Sequence, residues 1–324
     1  MNKTTFAGLE LKNPIIISSC GRTAKAENNK AFEDAGAAAV VLKSLFEENI
    51  TRETEHLSHS TDHTEAADYM QSYIRSHALA DYIQLIKDSK KLCTIPVIAS
   101  INCHSKGEWI DFAKSIQEAG ADALELNIMG VPDFKSYKVG DYEQLHLDIV
   151  SKVRKEVNIP LIVKLGSNIT NPVALIEQLK IYGANAVVLF NRSYQPDINI
   201  DTMEFKAGSL LSNSSDLPNS LRWTGIASAL VNGMDYAISG GVHSGEDVVK
   251  AILSGASVVE VTSAIYKNGN GWIHQALEQL TEWQKKHHYQ NIDEFKGRMN
   301  AAAIDNPDFW LRTQFLKYFA SNED

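Results

Sequence analysis

The stretch Gly36-Ala37-Ala38-Ala39-Val40-Val41-Leu42 decides the fold, because its plan returns three more times along the chain. Gly120-Ala121 precedes Ala123-Leu124, Gly183-Ala184 precedes Val187-Val188-Leu189, and Gly255-Ala256 precedes Val258-Val259. In each copy a helical stretch ends at glycine, the residue best suited to a left-handed helix C-cap. The short, unbroken apolar run after it reads as a strand buried on both faces. Helix, glycine, strand is the half-period of a parallel α/β fold.

Working outward, further apolar runs begin at Pro14, Pro96, Pro160 and Tyr236. The strands are expected at about 14–19, 39–44, 96–101, 123–128, 160–165, 186–191, 235–241 and 258–264. A doubly wound sheet would carry a G-x-G-x-x-G turn after its first strand, and Ser18-Ser19-Cys20-Gly21 does not supply one. The expectation is an α/β (β/α)8 TIM barrel, residues 1–324 as a single barrel domain, with a Thr4–Lys12 hairpin across its bottom. The connections at about 45–95 and 192–234 come after C-terminal strand ends and read as functional covers. About 300–324 reads as a C-terminal helical extension: Asp305 or Asn306 caps it, Pro307 sits in its first turn, and Phe309, Trp310, Phe315, Leu316 and Phe319 come next at helical spacing. It is expected to pack on its own barrel, with a subunit contact in a homodimer as the alternative.

Composition narrows the function. With 44% hydrophobic and 22% charged residues the chain has the make-up of a soluble globular protein. A formal charge of −9 and no run of Lys or Arg argue against nucleic acid or an anionic membrane as partner, leaving a small molecule. Cys20, Cys93 and Cys103 are odd in number and lack metal-type spacing, so neither a disulfide framework nor a zinc site is expected. No apolar run reaches about 18 residues and the N-terminus lacks a secretory pattern, which makes the cytoplasm the expected location.

Residues two apart in a strand face the same way, so Lys43, Asn127, Lys164 and Asn191, each ending an apolar strand, should converge on the barrel mouth where such enzymes keep their chemistry. The competing reading makes Lys164 and Glu125 a buried ion pair that only fills the barrel. A second signal lies at strands seven and eight. Ser239-Gly240-Gly241 leads through Ser244-Gly245 into a helix, and Thr262-Ser263 ends the neighbouring strand, the usual place of a phosphate in this fold. A phosphate there and two lysines across the mouth fit a phosphorylated ring cofactor. FMN has that shape.

The chain resembles the dihydroorotate dehydrogenase family, nearest its soluble class 1 members. The matching phrases are Thr5-Phe6 with Leu11-Lys12-Asn13-Pro14, Lys43-Ser44, Ser100-Ile101, Glu125-Leu126-Asn127, Val163-Lys164-Leu165, Ser239-Gly240-Gly241 with Ser244-Gly245, Gly255-Ala256, and Tyr289 to Gly297. The resemblance implies an FMN-dependent oxidoreductase that converts dihydroorotate to orotate in pyrimidine biosynthesis, with hydride passing to flavin N5. Ser19, Lys43, Ser44, Asn127 and Lys164 would contact the flavin, and Gly240, Gly241, Thr262 and Ser263 its phosphate. Lys43, Asn127 and Asn191 would also touch substrate.

The departures lie on the substrate side. Family members carry a Cys or Ser base three residues after the asparagine matching Asn127, and this chain has Gly130 there. Pro132 replaces an asparagine two residues further on, and the stretch from Asp62 to Tyr73 contains no asparagine where the family has one. Cys103, beside His104 after the third strand, is the candidate replacement base; Cys20, Tyr69, Tyr73 and Tyr137 are weaker ones. Two other readings stand beside the leading one. One is an FMN barrel with a different substrate or without dehydrogenase activity. The other is a Schiff-base lyase using Lys164 or Lys43.

Overall fold

The computed structural model describes residues 2–46, 64–103, 109–129, 135–192 and 196–312. Strands β1 (Thr4–Phe6) and β2 (Leu9–Leu11) form the N-terminal hairpin and are succeeded by β3 (Ile15–Ile17), β4 (Ala39–Val41) and the two-residue β5 (Leu45–Phe46). Next come β6 (Val97–Cys103), β7 (Ala123–Ile128), β8 (Leu161–Gly166) and β9 (Ala186–Asn191). A second hairpin, β10 (Pro196–Asn199) and β11 (Glu204–Ala207), precedes β12 (Asp235–Ser239) and β13 (Val258–Val261). Parallel pairing runs β3, β4, β6, β7, β8, β9, β12, β13 and back to β3. Helices separate consecutive strands, so this is the expected (β/α)8 barrel.

The repeated glycines cap their helices as expected. Gly36, Gly120, Gly183 and Gly255 all take positive φ, between 95° and 115°. After each, the alanine N–H reaches back to a carbonyl five residues earlier: Ala37 to Phe32, Ala121 to Ile116, Ala184 to Leu179, Ala256 to Ala251. This closes the last helical turn. The next N–H then joins the neighbouring strand, as Ala38 does to Ile15, Asp122 to Val97, Asn185 to Leu161 and Ser257 to Tyr236. One local motif therefore both ends the helix and sets the next strand into the sheet.

Strand alternation divides the core in two. The outward residues pack against the helices in the larger apolar cluster, while Ile16, Val41, Ile98, Ala123, Ile162, Val188, Ala237 and Val258 face the barrel axis. Phe6, Ala7 and Leu11 of the hairpin close that inner cluster from below. The hairpin is pinned there by Ala7 N–H donating to Asp235 Oδ2 at 2.8 Å and by the Thr4 hydroxyl donating to the Ser257 carbonyl at 3.1 Å. The floor of the barrel is consequently apolar.

The C-terminal segment docks on its own barrel as far as it is described. A short helix, Asp308–Leu311, comes after Asn306, whose Oδ1 accepts from the Asp308 N–H. The Trp310 ring lies over Gly225, where a Cβ would meet it at 2.9 Å, and Arg222 donates to the Trp310 carbonyl. Phe315, Leu316 and Phe319 lie outside the described residues. Among the described residues no helix is long and apolar enough to cross a membrane.

Phe6 is fully buried at the floor, so Phe6→Ala removes a large side chain from a site with little means to collapse. The expected cost is about 3–5 kcal/mol in chemical denaturation. A loss below about 1 kcal/mol would show that the hairpin does not close the barrel.

Candidate functional site

One step above the apolar floor the inward positions turn polar. Two residues beyond Ile16, Ile98, Ala123, Ile162 and Val258 stand Ser18, Ser100, Glu125, Lys164 and Glu260, sharing their parity and facing the same axis. Lys164 is 5% exposed, Glu260 1% and Glu125 0%, so this is a charged cluster inside the barrel. Lys164 Nζ donates to Glu260 Oε2 at 2.7 Å and to Ser18 Oγ at 2.8 Å, and Glu125 Oε1 lies 3.8 Å away. The Ser18 hydroxyl in turn donates to Glu260 Oε2 at 3.0 Å. The buried partner of Lys164 is thus chiefly Glu260, with Glu125 as the second carboxyl.

Burial pushes the Glu125 carboxyl well above the usual carboxylate range, and the adjacent Glu260 pushes it the same way against the pull of Lys164. Burial alone would lower Lys164, but the two carboxylates outweigh it and hold the ammonium above its ordinary value. A Schiff-base lysine needs the opposite shift, so Lys164 is poorly suited to attack a carbonyl.

Two polar lines lead from the cluster to the mouth. Ser100 Oγ lies 3.5 Å from Glu125 Oε1, Ser44 Oγ 2.8 Å from Ser100, and Ser19 Oγ 3.0 Å from Ser44. Tyr82, from the helix at Thr64–Leu92, bonds both the N–H and the carbonyl of Ser100, taking the place of the ladder that β4 leaves after Val41. On the other side Asn191 Nδ2 donates to Asn127 Oδ1 at 3.1 Å, and Asn102 pairs in register beside Asn127. Three amides therefore end β6, β7 and β9 at one rim.

These groups open on a cleft of about 660 Å³. Ser18, Ser19, Lys164, Glu260 and Asn191 line its inner side; Gly240, Gly241, Thr262 and Ser263 line the other end. Gly240 has φ +86° and nothing within 4 Å of where a Cβ would stand, so its backbone faces open space. Gly241 is held by the opposite constraint, since a Cβ there would strike the Leu217 backbone at 2.3 Å. Described residues of the 192–234 connection wall the cleft. Leu210, Leu211 and Ser212 line it, Ser212 N–H donates to Ser263 Oγ at 2.8 Å, Lys267 donates to the Ser212 carbonyl, and Arg192 pairs with Asp216. A second cleft, lined by Ser167, Ser215 and Asn219, shares Phe190, Asn191, Arg192, Ser239 and Gly240 with the first.

One sequence expectation is revised. The helix at Gly245–Ser254 does not offer its N-terminus to an anion, because Asp247 Oδ2 accepts from the N–H groups of His243 and Ser244, and Gln279 accepts from Gly245. An anion is left with the Gly240-Gly241 turn and the Thr262 and Ser263 hydroxyls.

The structure brings Ser19, Lys164, Asn191, Gly240, Gly241, Thr262 and Ser263 around one cleft, with Ser44 and Asn127 bonded directly to members of that set. Lys43 stands exposed at the rim, its Nζ 5.3 Å from the centre of the Phe46 ring. Cys103 is 1% exposed and packs with the outward face of β6, alongside Ala99 and Ile101, while Asn102 takes the inward parity. That position turns its sulfur away from the cleft. Cys20 is half-buried in the turn after β3 and Tyr137 is exposed. His104, Gly130, Pro132 and the side chains of Tyr69 and Tyr73 lie outside the described residues. Sequence reasoning misses Glu260, Ser18 and Asn102, although their parity with Val258, Ile16 and Ile98 is the signal that could find them. The deep cation, the open Gly240 backbone and the hydroxyl pair at the far end suit a planar ring carrying a phosphate.

The dihydroorotate dehydrogenase family model matches residues 1–283. The catalytic subunit of NAD+-dependent dihydroorotate dehydrogenase B from Thermoplasma volcanium is 27% identical, over 91% of this chain and 97% of that protein. The same subunit from Methanosarcina acetivorans is 29% identical, over 81% of this chain and 84% of that protein. The NAD-dependent dihydropyrimidine dehydrogenase subunit PreA of Escherichia coli strain K12 is 24% identical, over 99% of this chain and 81% of that protein.

Lys164→Met would leave the buried Glu260 carboxyl without its counter-cation and Ser18 without its donor. The expected cost is about 3–5 kcal/mol in chemical denaturation at neutral pH. A loss below about 1 kcal/mol would show that the ammonium is not the partner that keeps the cluster in place.

Proposed function

Since the chain belongs to the dihydroorotate dehydrogenase family, we propose that this oxidoreductase binds FMN in the cleft and transfers hydride between a dihydropyrimidine and the flavin. The observation that carries the reading is the single cleft joining buried Lys164 to the Gly240-Gly241 turn and the Thr262-Ser263 hydroxyls. When bound, FMN supplies the hydride acceptor. Ser19, Ser44, Asn127 and Lys164 would hold its ring, with Lys43 at the rim, and Gly240, Gly241, Thr262 and Ser263 its phosphate. Asn127 and Asn191 present amide donors and acceptors to the amide edges of a dihydropyrimidine, and Lys43 stands where substrate enters. Phe190, Arg192, Leu210 and Leu211 line the cleft and would shield a bound ring from solvent.

A second substrate reading is favoured by Gly130 and Pro132, which stand where the family carries a base and an orotate-reading amide. On that reading the substrate is a dihydropyrimidine other than dihydroorotate, in keeping with the name of the Escherichia coli relative.

The purified protein is expected to be yellow, absorbing near about 450 nm, and to bind FMN roughly 10–100-fold more tightly than riboflavin, the worth of about 1.5–3 kcal/mol in hydrogen bonds to a charged group. Equal affinity for the two, or no uptake of either, would overturn the reading. Anaerobic addition of dihydroorotate and of 5,6-dihydrouracil then assigns the substrate. Bleaching by the first supports dihydroorotate oxidation; bleaching by the second alone supports the other dihydropyrimidine.

A further inference from the structure

The buried cluster carries more acid than its lysine can balance. Two carboxyls and one ammonium share a space at most 5% exposed, so full ionisation would leave a net negative charge inside the barrel. Two of the four carboxyl oxygens, Glu125 Oε2 and Glu260 Oε1, have no donor among the described residues, and both are buried. A proton placed on Glu125 supplies the missing donor, because a protonated carboxyl donates one hydrogen bond and its neighbour accepts it. The contact distances assign the remaining charge: Lys164 Nζ is 2.7 Å from Glu260 and 3.8 Å from Glu125. Glu260 is the carboxylate that faces the ammonium.

We propose that Glu260, acting through Lys164, sets the charge the barrel presents to the bound ring, with one proton held between Glu125 and Glu260 keeping the three-residue cluster neutral. The proposal rests on the FMN reading above and adds a residue to it. Lys164 and Glu260 both line the cleft, so a ring seated there meets a compensated ion pair and not a bare cation. A ring that gains negative charge on reduction is stabilised less by such a pair than by Lys164 alone. Glu260 is therefore a positioning residue that lowers the cofactor's reduction potential. Burial and the charge of Glu260 both favour the protonated form of Glu125, which agrees with this distribution. Among the described residues the other titratable groups facing the cluster are Cys20 beside Lys164 and Tyr82 beside Glu125, and Tyr82 is tied up by the Ser100 backbone.

The test compares FMN-loaded wild type, E125Q and the double variant E125Q/E260Q by anaerobic redox titration against a reference dye. E125Q replaces a neutral group by a neutral group, and its potential is expected to stay with wild type. In the double variant no carboxyl is left to ionise beside Lys164 in place of Glu260, so the lysine charge is freed. The reduced cofactor is then expected to be favoured over the oxidised at least tenfold more than in E125Q, a rise of about 30 mV for a two-electron couple. The same potential in E125Q/E260Q as in E125Q, or a full rise already in E125Q, would overturn the assignment. Infrared difference spectra of the wild-type protein against E125Q at neutral pH give a second measurement, which must show one protonated carboxyl that E125Q lacks. Its absence overturns the proposal even where the double variant does not fold. A protein that takes up no FMN fails the reading of the previous subsection, whereas normal FMN binding with a wild-type potential in E125Q/E260Q fails this inference alone.

Discussion

A lysine buried on the axis of a barrel must be given counter-charge, and the rest of this site depends on how that is done. Lys164 projects from β8 above a floor of Ile, Val, Ala and Phe6 that offers it no polar partner. Its hydrogen bonds go sideways to Ser18, just past β3, and to Glu260 on β13, the two strands that close the barrel. Glu125 on β7 completes the ring of charge from the other side. Burying such groups costs more than their mutual attraction returns unless their geometry is closely matched. A barrel that carries them in its centre gives up stability that an apolar core would have supplied.

The placement of those side chains is a consequence of the repeated glycine motif. Each Schellman-type closure hands the chain into the next strand at a fixed register, and alternation then decides which residues meet on the axis. The same two-residue period puts apolar groups at one level, charged groups at the next, and Asn102 and Asn127 at the rim. Because parallel strands are wrapped by helices, the outward positions remain apolar throughout. The charged and amide side chains are confined to the inward face of the strands and to one end of the barrel.

Much of this is legible in the sequence because it is local. Gly36, Gly120, Gly183 and Gly255 are each marked by the alanine and the apolar run directly after them, and a polar residue that ends an apolar strand, such as Asn127 or Lys164, stands out against its neighbours. Glu260 does not, because Val-Val-Glu-Val reads equally as a strand with one outward polar face, and only knowledge that Val258 faces the axis turns Glu260 inward. The helix at Gly245–Ser254 has the glycines of an anion site before it, yet Ser244 and Asp247 already spell a capping box that fills its N-terminus. Cys103 has the position of an accessible residue after a strand, but β6 runs further than its apolar pattern and places Cys103 in the outer core. Long-range charge balance and strand-end parity are properties of the assembled barrel, and no single segment carries them.

On the reading proposed above, a phosphorylated flavin would sit in the cleft between Lys164 and the Gly240-Gly241 turn. A crystal structure of the protein grown with FMN tests it most directly. The ring's pyrimidine edge is expected within hydrogen-bonding distance of Lys164, and the phosphate against the Gly240-Gly241 backbone and the Thr262 and Ser263 hydroxyls. FMN density elsewhere on the barrel, or a cleft left empty at saturating FMN, would contradict it.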